Sequence, residues 1–407
     1  IITQRINEIY LVYVIFGLSI AIFLKDINLT YLKIAFFEPI YFYRALLFLF
    51  SLYLFSINKK KFNSSIFFLS FISLIFLINS IFGEILILNQ DKNLLFEQYN
   101  IKPHSFFSTE KINILIINFF NIYIPLLVLM LIKFNIDLNW FYKTSYKICE
   151  IFIIILTIYI SITLFILLYQ PEHKNKYFGF ESDFAKHFIN PHGLLYILNI
   201  FFIQNIIEIF NKSKIKKNLI YIILIIVLFL ISGSILFFGL CAITLIVYSF
   251  FKLKKTYLYF SLILFFIYIS IIYLNTETNN MVHGSLYNSI SLRIAYIKMF
   301  LFEVNNMNYF FGSNIFSEKI YTYPHNSFID IFICSGFVGI AILFFVFFKL
   351  LNLIKFKYQH TYFFIYLIFI QLLIFSLLSG FFFKNITLNI LLAIIINLSN
   401  LREEKII

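Results

Sequence analysis

The sequence predicts an all-α fold: a polytopic integral membrane helix bundle of about twelve spans with a long outer loop that carries an amphipathic helix. Three observations predict it. Of 407 residues, 61% are hydrophobic and 13% charged, against roughly 45–50% and about 25% in soluble domains. Apolar runs of spanning length recur from one end of the chain to the other, which excludes a sizeable soluble domain and makes residues 1–407 one membrane-embedded domain. The cations, finally, concentrate in alternate connections between those runs, as topogenic charge does.

The expected spans, in order, are 8–24, 34–57, 64–83, 111–132, 148–169, 191–210, 219–233, 235–251, 257–274, 325–348, 361–380 and 386–400. The first is followed by no small-residue cleavage pattern and is read as a span rather than a leader. Pro191 and Pro324 each open a span, because proline fits the first helical turn and stops a helix that precedes it. Ser232-Gly233-Ser234 separates two runs as a tight hairpin whose backbone N–H groups either meet an anion or only make a turn. Gly336 and Gly339 interrupt the apolar run after Pro324.

Alternate connections place 19 Lys and Arg on one side and 12 on the other, with Arg44 inside a span. The denser side, with Lys59-Lys60-Lys61 and the lysines of 212–217, is the cytoplasmic one, and both termini fall there. The net charge of +13 is thus assigned to topology and not to a nucleic-acid partner. Six of the seven histidines fall outside, as do the three long polar connections 84–110, 170–190 and 275–324. Chemistry is therefore expected on the outer face. There is no phosphate-binding loop, no D-x-D pair and no H-E-x-x-H motif, so the sequence offers no ATP motor, no metal-held nucleotide sugar and no metalloprotease site. No metal or other cofactor is expected. Cys149, Cys241 and Cys334 lie in or beside apolar runs and form no disulfide or zinc pattern.

The outer segments carry the candidate residues. Within 289–304, Ile290, Ile294, Ile297, Leu301 and Val304 repeat at helical spacing, and Arg293, Tyr296 and Phe300 form the adjacent stripe. Arg293 is the outer arginine among four in a chain that otherwise uses lysine. Its planar fork suits a phosphate or pyrophosphate; snorkelling beside lipid headgroups is the competing reading. Tyr323-Pro324-His325-Asn326-Ser327 brings His325 to a helix start, where the dipole favours a neutral imidazole. That imidazole is a general base, a donor to phosphate oxygen, or a cap. Asp330, one turn beyond Asn326, is the deepest acid of that span, its partner left open. Asn190-Pro191-His192 opens another span with a histidine, and Lys186 stands just before it, completing a rim suited to an anionic head group. Lys298 follows Arg293 by five residues. Arg44, inside the second span with Glu38 before it, is either a functional cation or the structural partner of a carboxylate.

Taken together these residues resemble the O-antigen polymerase and O-antigen ligase superfamily of polysaccharide-assembly enzymes. His325-Asn326 followed by Gly336 and Gly339 looks like the family's H-N…G-x-x-G span. Ser291-Leu292-Arg293, Tyr296 and the later Phe311-Gly312 are similar to its arginine helix and F-G turn, and Asn190-Pro191-His192 to its N-P-N segment. The hairpin departs from the pattern: Ile235 stands where an arginine is expected, leaving Lys186, Lys298 or Arg44 to replace that cation.

The resemblance implies metal-independent glycosyl transfer at the outer face of a bacterial inner membrane. The donor would be an oligosaccharide on undecaprenyl pyrophosphate. Arg293 would bind the pyrophosphate and stabilise the leaving group, and His325 would take the acceptor's hydroxyl proton. Lys186, Asn190, His192, Lys298, Asn326 and Arg44 would bind substrate. A chain-length regulator protein is the implied partner beside the lipid bilayer. The missing hairpin arginine points to polymerase over ligase. A flippase is the alternative from another class; it predicts two similar halves, which the sequence lacks.

Overall fold

A computed structural model describes residues 2–27, 39–58, 64–82, 84–85, 120–121, 123–131, 136–169, 191–232, 240–246, 248, 309–312, 314–315, 327–354, 360–379 and 386–406. These are helical apart from turns and one two-residue parallel pairing. The long helices are α1 (Ile2–Ile27), α2 (Pro39–Ile57), α3 (Ser64–Phe82), α4 (Leu138–Tyr169), α5 (Pro191–Phe210), α6 (Ile215–Ser232), α7 (Ser327–Ile354), α8 (His360–Ser379) and α9 (Ile386–Ile406). Strands β1 (Glu84–Ile85) and β2 (Asn314–Ile315) pair in register Glu84 to Asn314 and Ile85 to Ile315. Among the described residues, two helical stretches, Pro39–Ile57 and Phe328–Phe345, are long and apolar enough to cross a membrane. The expected spans at 257–274 and the amphipathic helix at 289–304 lie outside the described residues.

The chain divides into two compact units. The first holds α1, residues 39–50 of α2, α4, α5, α6, residues 240–246 and the start of α8. Its centre is α5, buried without interruption from Ile197 to Ile207 and packed by α1, α4 and α6. Because α5 is enclosed on every side, its polar residues must bond inside the unit. Gln204 donates to the Tyr142 carbonyl at 3.1 Å, Tyr142 donates back to the Gln204 carbonyl at 3.3 Å, and the Cys241 thiol reaches Asn199 Oδ1 at 3.1 Å. Aromatic rings fill the space between helices: Phe201 lies 5.2 Å from Tyr146 and 5.0 Å from Tyr221. Gly17 lets α1 approach α2, since a Cβ there would stand 2.6 Å from the Tyr43 ring.

Helix α4 begins ten residues before the apolar run that predicts it. Asp137 is the reason: its carboxylate accepts from the N–H groups of Asn139 at 3.0 Å and Trp140 at 3.2 Å, an N-cap. The reciprocal half of a capping box, a carboxylate on the cap residue's own N–H, comes from another helix. Glu8 of α1 accepts from the Asp137 N–H at 2.8 Å.

The second unit holds the end of α2, α3, β1, residues 123–131, 309–312, β2, α7, the end of α8 and α9. Here α7 packs on α3 and touches α9, and Asn397 of α9 donates to the Val128 carbonyl at 2.5 Å.

Candidate functional site

The best-defined construction adjoining in sequence the residues predicted to do chemistry is a break in α7. Gly336, with φ 63° and ψ −161°, leaves the helical region in the middle of an apolar span. Such a break frees backbone groups, which are costly in a bilayer unless something else bonds them. The turn 309–312 does so. Phe337 N–H donates to the Tyr309 carbonyl at 2.8 Å and Val338 N–H to the Phe310 carbonyl at 3.1 Å. Asn79 of α3 then donates through Nδ2 to two carbonyls, Phe311 at 2.9 Å and Cys334 at 2.7 Å, tying the turn to the other side of the break.

Two glycines make this contact possible. A Cβ on Gly336 would fall on the Phe310 carbonyl, and one on Gly312, itself at φ 71°, would stand 2.6 Å from the Cys334 carbonyl carbon. Both positions therefore need glycine twice over, for the positive φ and for the close approach. The Phe311-Gly312 turn and the Gly336 span, read separately in the sequence, are one locked element. Gly339 lies in regular helix, where an added Cβ would meet the Ser335 side chain and not backbone.

The lock bounds the chain on both sides. Residues 309–312 close the segment that begins near Arg293 and Lys298, and β2 opens the connection that leads to His325 and Asn326 before α7 starts at Ser327. From Ser327 to Gly336 is nine residues of helix, ~14 Å. In its first turn α7 carries Asp330, which is buried and accepts from the Cys334 thiol at 3.7 Å.

Of the residues the sequence singles out, Arg293, His325, Lys186, Asn190, Lys298 and Asn326 lie outside the described residues. His192 is the second residue of α5, which starts at Pro191. Arg44 sits on α2 and is half-buried. Among the described residues no group of His, Cys, Asp or Glu could hold a metal ion, and the three cysteines are buried and form no disulfide.

Three features escaped the sequence reading. Asn79 is a lone amide in an apolar run, a visible signal, but its two acceptors are more than 230 positions away. Glu8 pairs with Arg5 at 2.7 Å, and Arg5 also covers the Trp140 ring at 4.8 Å. Lys217 of α6 pairs with Glu150 of α4 at 2.6 Å, and Tyr221 donates to the same carboxylate at 2.5 Å. The hydrogen bond to Glu150 holds the Lys217 ammonium above its usual pKa.

No family model, no curated protein and no solved structure matches this chain.

Proposed function

We propose that the chain is a glycosyltransferase of surface-polysaccharide assembly, a polymerase that transfers an undecaprenyl-pyrophosphate-linked oligosaccharide onto a lipid-linked acceptor unit at the outer face of the inner membrane. The observation that carries the reading is the seating of the Phe311-Gly312 turn on Gly336. It makes one structure of two short motifs on which the resemblance rests. In sequence, the chain that runs between the two halves of the lock, 313 to 335, includes His325 and Asn326.

In this reading the acceptor hydroxyl attacks the anomeric carbon of the donor sugar. The carbon–oxygen bond to pyrophosphate breaks and undecaprenyl pyrophosphate leaves. Arg293 stabilises the charge that develops on the leaving oxygen, and His325 takes the hydroxyl proton. Lys186, Asn190, His192, Lys298, Asn326 and Arg44 hold the substrate, and no cofactor takes part. Both termini lie in the cytoplasm.

A break in mid-span is also what a transporter would carry, with a half-helix N-terminus facing its substrate. In α7 the first N–H groups after the break are bonded to Tyr309 and Phe310 carbonyls, so they are taken by the protein itself. That observation favours the enzyme over a flippase. The ligase differs only in acceptor, and Ile235 in place of a hairpin arginine favours the polymerase.

The test replaces Arg293 and His325 singly by Ala in a host that lacks its own enzyme and reads surface-polysaccharide length on a gel. Each loss is expected to slow transfer about a hundredfold or more, leaving single repeat units on the lipid core. Normal long chains from both variants, at normal protein level, would sink the assignment. Complete loss of capped core in the absence of the protein would identify a ligase instead.

A further inference from the structure

Helices α4 and α6 both pack on α5 in the first unit and are joined to each other near one end by the Glu150–Lys217 pair and by the Tyr146 hydroxyl donating to Asn218 Oδ1 at 2.9 Å. Each has the same pattern on its exposed face. On α4, Lys143 and Lys147 are exposed and are followed at helical spacing by exposed Ile151, Ile154, Ile155 and Ile158. On α6, exposed Lys216 is followed by exposed Leu219, Ile220, Ile223, Ile226 and Val227. The change from ammonium to hydrocarbon falls within one turn on both helices, and the 2.6 Å pair sets those two turns at the same level.

The turn before α6 adds two more lysines in an unusual way. Helix α5 ends with the Ser213 N–H bonded to the Glu208 carbonyl at 2.9 Å, the wrap that ordinarily places glycine at its left-handed position. Here that position is Lys212, at φ 58°, and Lys214 follows at φ 42°. Glycine would be easier at both, yet both carry a charge. Among the described residues no carboxylate lies within ion-pair distance of Lys143, Lys147, Lys212, Lys214 or Lys216, whereas Lys217 is engaged by Glu150.

We propose that this corner is a binding surface for anionic phospholipid: headgroup phosphates on Lys143, Lys147, Lys212, Lys214 and Lys216, and acyl chains along the two aliphatic ladders. Charge complementarity selects the occupant, because a surface that is cationic over one turn and purely hydrocarbon over the next matches a lipid with a net negative headgroup and nothing soluble. Lys217, neutralised by Glu150, aligns the helices and contributes no binding charge. The site goes beyond the proposed reaction and does not depend on it.

Native mass spectrometry of the full chain in detergent, titrated with phosphatidylglycerol or with phosphatidylcholine, tests this. The parent is expected to retain phosphatidylglycerol selectively, less so in high salt. Affinity should fall about fivefold per lysine removed, and about a hundredfold in K212G/K214G/K216Q. That variant relieves two positive-φ lysines, so its melting temperature should not drop. K212R/K214R/K216R should bind as the parent does. Equal retention of phosphatidylcholine by the parent, undiminished phosphatidylglycerol binding by the Gly/Gly/Gln variant, or loss of binding in the arginine variant would each overturn the proposal.

Discussion

At the level of single residues, the arginines show how a rare side chain divides between structure and chemistry. Arg5 reads in the sequence as one more topogenic cation, yet it pairs with a carboxylate that has no exposed side-chain surface while being itself 49% exposed. The weight of that cluster rests on Glu8, which satisfies the Asp137 N–H at the start of α4. Removing Glu8 strands a backbone donor beside a cap, whereas removing Arg5 loses an ion pair and a ring contact that water already screens. Glu8→Ala should therefore lower stability by about 1–3 kcal/mol, and Arg5→Ala by less than about 1 kcal/mol. Thermal unfolding in detergent reads both; the reverse order would contradict the cap. The helix start at Asp137 lies ahead of the apolar run that predicts the span, so hydropathy does not mark it, and its completion by Glu8 leaves no local signal, because that partner lies 129 positions away.

Among the elements, α7 is where sequence and structure differ most usefully. Gly336 and Gly339 both interrupt the apolar run, and spacing alone treats them alike. The structure separates them, since only Gly336 has a left-handed φ and a backbone carbonyl where its Cβ would go. Gly336→Ala should cost more than about 3 kcal/mol, combining left-handed strain with a clash that backbone must relieve. Gly339→Ala displaces a serine side chain and should cost less. Asn79→Ala leaves two carbonyls of the lock without their shared donor and should cost about 1–3 kcal/mol. A matched set of melting curves checks the ranking; equal losses at the two glycines would mean the break is not held by the turn. The turn's existence was readable from Phe311-Gly312, but not the helix it closes, because pairing between distant backbone groups leaves no periodicity.

For the molecule as a whole, hydropathy located the described helices well and their ends less well. Apolar runs report the part of a helix that faces hydrocarbon or core, so α4, whose first ten residues mix lysine with buried Phe141 and Ser145, extends beyond its run. Hydropathy was also silent on depth: α5 and α6 read alike, yet one is enclosed and the other exposes an aliphatic ladder. What the charge pattern adds is sidedness, and it yields a whole-molecule prediction. If dense lysine runs mark the inner face, a cysteine at Lys60 or Lys214 should react with a membrane-impermeant maleimide only after the cells are permeabilised. One at Ser105 or Asn175, in the long outer connections, should react in intact cells. The native thiols suit the measurement, because Cys149, Cys241 and Cys334 are all buried and give little background. Protection of Ser105→Cys and Asn175→Cys together with labelling of Lys60→Cys would invert the orientation. Inversion would move Arg293 and His325 to the face opposite the one the proposed reaction requires, and that proposal would fall with it.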